Sequence, residues 1–199
     1  MMAAACSGRR RRVMGATALA LLGVSAQAQK QKQEPARALR EMQIHRVEPL
    51  GLEIWVENQP PWETKSTAQP HPDFTAQSPE NYFPPTVMTY SSWPKERVAQ
   101  KDLEQVATSA IRRASQNFGL NLGQSRGLSP VAASYGVLQG FEADFAGTGN
   151  GQELDVKVFI GHTPGRFLVV LLVYTQRGKL GQLREVVRRA WGKLKYLGA

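Results

Sequence analysis

Apolar positions along this chain change period several times, and the changes mark its elements. A first extended stretch runs from Ile44 to Val47. A second runs from Leu52 to Val56, where the apolar Leu52, Ile54 and Val56 alternate with Glu53, Trp55 and Glu57, the period of two that a half-buried strand shows. Thr86 to Ser91 reads as a further strand, closed by Trp93-Pro94. The period then lengthens: Leu103, Val106, Ala107, Ala110, Ile111, Ala114 and Phe118 fall on one helical stripe. Asp102 and Gln105 stand at capping-box spacing, and Gly119 sits where a glycine ends a helix. Arg112 and Arg113 lie off the stripe and read as solvated.

The second half is β-rich until its end. Ser125–Ala132 is a weak strand. In Tyr135–Ala146, Tyr135, Val137, Phe141, Ala143 and Phe145 share one face, and Leu154, Val156, Val158 and Ile160 form the return strand of a hairpin around Gly147–Gly151. After a turn at Gly161–Gly165, Phe167–Tyr174 is apolar without a break. A strand apolar on both faces must be covered on both, so this segment predicts a central strand between two layers. A closing helix spans Gly178–Tyr196, with Leu180, Leu183, Val186, Val187, Ala190, Trp191 and Leu194 at helical spacing.

The front of the chain changes the charge picture. A basic run, Arg9 to Arg12, precedes an uncharged apolar stretch, Val13 to Val24, and Ala26-Gln27-Ala28 follows. These are the three parts of a cleavable export signal, with the cut before Gln29. The apolar stretch falls short of the roughly 20 residues a bilayer span takes. Paired arginines also admit a twin-arginine route, although the usual serine and aromatic partners of that motif are missing around Val13 and Met14. The expected address is periplasmic or secreted. Cleavage takes four arginines and no acids, so Lys+Arg falls from 25 to 21 against 16 Asp+Glu, and the net charge from +9 to +5. It also takes Cys6, the one cysteine, which removes disulfides, a thiolate nucleophile and cysteine metal sites. Residues 29–43 read as a polar leader and 44–199 as a single domain.

Seven of the twelve prolines lie between Glu57 and Pro85. Proline removes a ladder donor and fixes φ, so 57–85 is expected as a long loop. Trp62, Phe74, Tyr82 and Phe83 are interleaved with them. Such aromatics pin a surface loop to its domain; the alternative is a partner-binding loop that uses these four.

Candidate chemistry is sparse. His45, His71 and His162 have no ligand-spaced companion, and the latter two read as solvated loop histidines. No serine-nucleophile motif is present, and neither a cofactor nor a metal site is expected. Glu142 and Asp144 lie two apart on the outward face of their strand, with Lys157 on the same face and Glu153 and Asp155 across the hairpin. Paired carboxylates do acid–base work or bind a cation, or simply form a salt-bridged sheet surface. Gly147–Gly151 lacks the lysine and the helix of a phosphate loop. The closing helix carries Arg184, Arg188, Arg189, Lys193 and Lys195 against Glu185. That is a solvated basic face on a docked helix, or a surface for anionic membrane.

The order of elements, with Pro60-Pro61-Trp62 after the strand Leu52–Val56, resembles the Mog1/PsbP-like fold and, within it, the bacterial DcrB-like periplasmic proteins. The helix Asp102–Phe118, the hairpin, the strand Phe167–Tyr174 and the last helix complete the likeness. It implies an α+β class: an antiparallel β-sheet of about six strands sandwiched between helices. It also implies binding or assembly more often than catalysis. Some DcrB-like relatives look like chaperones for secreted proteins, but those are cytoplasmic, and the export signal departs from them. The expectation is a non-catalytic exported domain that binds another envelope or secreted protein, without nucleic acid. Trp62, Phe74, Tyr82, Phe83, Arg184, Arg188 and Arg189 are its candidate contacts. A small periplasmic hydrolase or ligand binder with a carboxylate site is the alternative, and peripheral attachment to anionic membrane is another.

Overall fold

The doubly apolar run Phe167–Tyr174 lies at the middle of a seven-stranded antiparallel sheet in the computed structural model, which describes residues 41–68 and 71–198. The described chain forms β1 (Met42–Val47), β2 (Leu52–Glu57), β3 (Glu63–Thr67), β4 (Asp73–Gln77), β5 (Thr86–Arg97), α1 (Leu103–Asn117) and α2 (Leu122–Arg126). It continues with β6 (Val131–Tyr135), β7 (Leu138–Gly149), β8 (Gln152–His162), β9 (Phe167–Gln176), α3 (Arg184–Gly192) and β10 (Lys195–Tyr196). The large sheet has the order β3-β4-β5-β9-β8-β7-β6, and β1, β2 and β10 form a second, three-stranded antiparallel sheet. The expected signal, and the expected leader up to residue 40, lie outside the described residues.

Alternation along β9 builds two cores. Val169, Leu171 and Val173 point to one side, where β2 and α3 add Leu52, Ile54, Val56, Val186, Val187, Ala190 and Trp191. Leu168 and Leu172 point to the other, against Ala107 and Ile111 of α1. Each aliphatic side chain so buried contributes about 1.5–3 kcal/mol. The antiparallel sheet is therefore covered by α1 on one face and by α3 with the small sheet on the other. This is the expected sheet-with-helices arrangement, with ten strands rather than six among the described residues.

The extra strands come from segments read differently in the sequence. Residues 57–85, expected as a loop, hold β3 and β4. Their prolines fall between strands: Pro60 and Pro61 before β3, Pro72 just before β4, and Pro79, Pro84 and Pro85 ahead of β5. β3, Glu-Thr-Lys-Ser-Thr, is an exposed edge strand without an apolar residue, and β4 offers the core only Phe74 and Ala76. Ser125–Ala132, expected as a strand, begins instead in α2, whose capping box joins Asn121 and Gln124; the strand starts at Val131. The box expected at Asp102 does not form, because a 3-10 turn, Gln100–Asp102, leads into α1. The last helix is shorter than expected: a 3-10 turn, Leu180–Leu183, precedes it, and Lys195 and Tyr196 pair with Glu53 and Leu52.

The β7–β8 hairpin turns on Asn150-Gly151, both at positive φ, as a two-residue primed turn requires. Gly147 lies inside β7. A Cβ there would stand 2.6 Å from the Phe118 carbonyl oxygen, so its glycine lets the end of α1 cross the hairpin closely. The Thr148 amide donates to that carbonyl at 2.7 Å.

Candidate functional site

α3 turns Val186, Val187, Ala190 and Trp191 into the core and keeps its charges outside. The 3-10 turn ahead of it is anchored to the hairpin, where the Leu180 amide donates to Asp155 Oδ2 at 3.3 Å and Arg177 pairs with Asp155 at 3.4 Å. Between that turn and the strands β6, β7 and β8 a cleft of about 450 Å³ remains. Its floor is Glu142, Asp144 and Lys157, its end is Tyr135, and its helical wall carries Arg184 and Arg188. The carboxylates and the basic helix, read apart in the sequence, thus line one concavity.

Strand register explains the floor. Val131 pairs with Glu142 and Asp144 with Lys157, so these side chains share the face that α3 covers. Lys157 Nζ lies 3.1 Å from Glu142 Oε1 and 2.6 Å from Asp144 Oδ1. The Tyr135 hydroxyl donates to Glu142 Oε2. Burial, reinforced by the hydrogen bond to Glu142, pushes the Tyr135 phenol well above its ordinary value, so it stays a protonated donor. Two carboxylates share one ammonium, and the floor keeps a net negative charge beneath a positive wall. Glu153 and Asp155 stand opposite Thr148 and Ala146 instead, one step nearer the turn.

The helix charges are not uniformly solvated. Glu185 chelates Arg188 at 2.6 and 2.9 Å, which holds the glutamate below the usual carboxylate range. Arg189 is largely covered, 4.0 Å from the buried carboxylate of Glu57. Arg184 is exposed and forms no ion pair among the described residues.

Three of the four aromatic candidates belong to the core. Trp62, Phe74 and Tyr82 are 8, 3 and 1 % exposed. Trp62 meets Tyr82 edge-on at 5.0 Å, and the Tyr82 hydroxyl donates to Glu57 Oε2 at 2.7 Å. As contacts for a partner they are corrected: they fasten the 57–85 segment to the domain, because a sheet face closes over them. Phe83 alone stays out, 58 % exposed, with Lys179 Nζ 5.2 Å above its ring. Lys179 adjoins Leu180, which lines the cleft, so this contact ties Phe83 to the segment that leads into the cleft wall.

His162, expected in solvent, is buried. Its Nδ1 donates to the Thr163 carbonyl at 3.0 Å, and Nε2 lies 2.8 Å from Gln100 Oε1. β8 extends two residues further than its apolar pattern, to His162, which carries the ring under the turn leading into α1. His71 is exposed, its ring 6.0 Å from that of Trp93. His45 lies against Phe74, and burial lowers its pKa. Among the described residues no group of three His, Cys, Asp or Glu side chains is placed to hold a metal ion. No helix among them is long and apolar enough to cross a membrane.

What fold and site define together is an α+β domain on an antiparallel sheet with a mixed-charge cleft under its last helix. No family model matches the chain, and no curated protein matches it. Among solved structures, the chain is similar to a Bacteroides thetaiotaomicron protein at 10 % identity and a TM-score of 0.50, over 79 % of this chain and 48 % of that one. It therefore spans about half the length of that protein and shares its fold. It is also similar to Mycobacterium tuberculosis LpqN, involved in cell envelope biogenesis, at 11 % identity and a TM-score of 0.42, over 72 % of this chain and 82 % of that one.

Proposed function

We propose that this chain is an exported, non-catalytic domain that binds another protein or an envelope component across the cleft beneath α3. The fold is assigned on this reading to the Mog1/PsbP-like class, on its element order, and the address rests on the basic, apolar and Ala-Gln-Ala segments at the front.

The observation that carries the proposal is the state of Glu142. Lys157 engages one of its oxygens and Tyr135 the other. The carboxylate best placed for acid–base work is held as structure, and the neighbouring phenol is kept from acting as a base. What the cleft offers outward is Arg184, without an ion pair among the described residues, and exposed Phe83 lies against Lys179, next to the cleft-lining Leu180. Arginine and aromatic side chains are the types enriched where proteins meet.

A photo-crosslinking residue at position 184 of the full chain, in the cells that make it, tests this. A discrete adduct is expected from 184, weakened by Phe83→Ala, and none from position 65 on the opposite sheet edge. No adduct at 184, or the same set from both positions, defeats the reading. The cleft volume favours one second reading, since about 300–1,000 Å³ suits a small ligand. Glu142→Gln separates the two: a protein partner survives it, whereas a hydrolytic or ligand site that needs the carboxylate does not.

A further inference from the structure

Away from the α3 cleft, α1 and α2 meet in a groove of about 250 Å³ that Arg112, Arg113 and Arg126 line together. We infer that this groove is a binding site for a phosphate-type oxyanion carried on a partly apolar molecule.

Charge is the first argument. No Asp or Glu lines the groove, and none of the three guanidinium groups forms an ion pair among the described residues. Helix spacing gives no relief. The positions three and four residues from Arg112 are Thr108, Ser109, Ser115 and Gln116, and those from Arg113 are Ser109, Ala110, Gln116 and Asn117. A carboxylate at any of them would pair along the helix. Three like charges around one concavity repel each other unless an anion enters.

An orphan donor is the second. Arg112, which lines the groove, has an Nε without a hydrogen-bond acceptor among the described residues; that atom is covered as the side chain lies, so an anion reaches it only when the guanidinium turns outward. Buried polar atoms are nearly always bonded, and an exception points to a missing partner such as an ion. Guanidinium donors suit the oxygens of a phosphate in a fork geometry.

The groove is also preformed. Gln116 Nε2 donates to the buried Ser125 hydroxyl at 3.0 Å, and that hydroxyl donates to the Leu122 carbonyl at 3.1 Å. This ties α2 to α1 and holds Arg126 opposite Arg112 and Arg113. Leu122 stands at the rim, 55 % exposed, an apolar neighbour that a bare inorganic ion does not use. Solvated helix arginines would show neither the orphan nitrogen nor the shared concavity.

The site is independent of the α3 cleft, so the two stand or fall separately. Arginine Nε–Hε resonances of the full mature chain, titrated with inorganic phosphate at constant ionic strength, test it. A saturable shift at Arg112 is expected, with about tenfold weaker binding in Arg112→Lys and in Arg126→Gln. Lys65→Gln, a surface change on the exposed edge strand β3, should leave the binding constant alone. Shifts that sodium chloride reproduces, or affinity that neither substitution alters in a folded variant, overturn the inference. Vesicles containing phosphatidic acid then separate the sources. Binding that free phosphate competes away identifies a lipid headgroup, and phosphate binding without vesicle binding identifies a soluble phosphorylated ligand.

Discussion

On the α3 side of the large sheet, Glu185 chelates Arg188, Arg189 lies beside buried Glu57, Lys195 pairs with Glu53 at 2.9 Å, and Lys157 bridges Glu142 and Asp144. On the α1 side, Arg112, Arg113 and Arg126 face one groove without a carboxylate. Both sides carry the chain's basic excess, but they use it differently. The first set neutralises acids, of which Glu53, Glu57 and Glu142 are largely covered by the fold, and so positions β2, β7 and α3. The second set neutralises nothing within the described chain. The difference teaches where free electrostatic capacity remains. Substitutions on the two sides should therefore separate into structural and binding effects.

The largest effect is expected at Arg189. Arg189→Met withdraws a cation from the buried Glu57 carboxylate and keeps the apolar stem. Removing one partner of a buried pair is strongly destabilising, and about 3 kcal/mol is expected here. Urea unfolding followed by tryptophan fluorescence measures it. A loss below about 0.5 kcal/mol would mean that this side is no more structural than the other. Lys157→Met should follow at about 1–2 kcal/mol, since its ammonium is partly screened and Tyr135 still bonds Glu142.

Acid should act on the same side. The Lys195 hydrogen bond comes first among the causes that hold Glu53 below its ordinary value near 4.5, and Arg188 does the same for Glu185. A carboxylate with a depressed folded pKa adds stability that is full above its unfolded value. That contribution fades as pH falls from about 4.5 through the folded value. Amide protection near β10 and α3, measured against the intrinsic exchange rate at each pH, should therefore fall below pH 4.5, while that of α1 is left comparatively unchanged. Loosening of α1 first would break the comparison.

How far the sequence foretold this arrangement depends on how much apolar surface each element shows. β9 was legible as a central strand because it is apolar on both faces and both faces are covered. β3 was not, since an exposed edge strand needs no apolar residue, and β10 was hidden because Lys195 and Tyr196 continue a helical pattern that the backbone abandons after Gly192. The candidate contacts divide the same way. Trp62, Phe74 and Tyr82 stood out as aromatics among prolines, but composition does not say whether a sheet closes over them. Glu142, Lys157 and Arg184 were each visible, and only the register of β7 with β8 and the docking of α3 bring them to one cleft. Arg112 and Arg113 were legible as off-stripe charges. Their groove was not, because α2 went unread and its last residues, Ser125 and Arg126, fell in a segment that read as a strand.

The smallest effect is the most diagnostic. Arg113→Gln removes one of three mutually repelling charges and breaks no ion pair. It should therefore raise stability by a few tenths of a kcal/mol at low ionic strength. The gain should disappear in about 1 M salt, where the screening length is near 3 Å. Thermal unfolding at two salt concentrations checks it. A substitution that stabilises the fold while weakening phosphate binding marks a residue kept at some expense to the fold, as binding sites often require. Destabilisation by Arg113→Gln at both salt concentrations would instead place Arg113 with Arg189, as part of the structure.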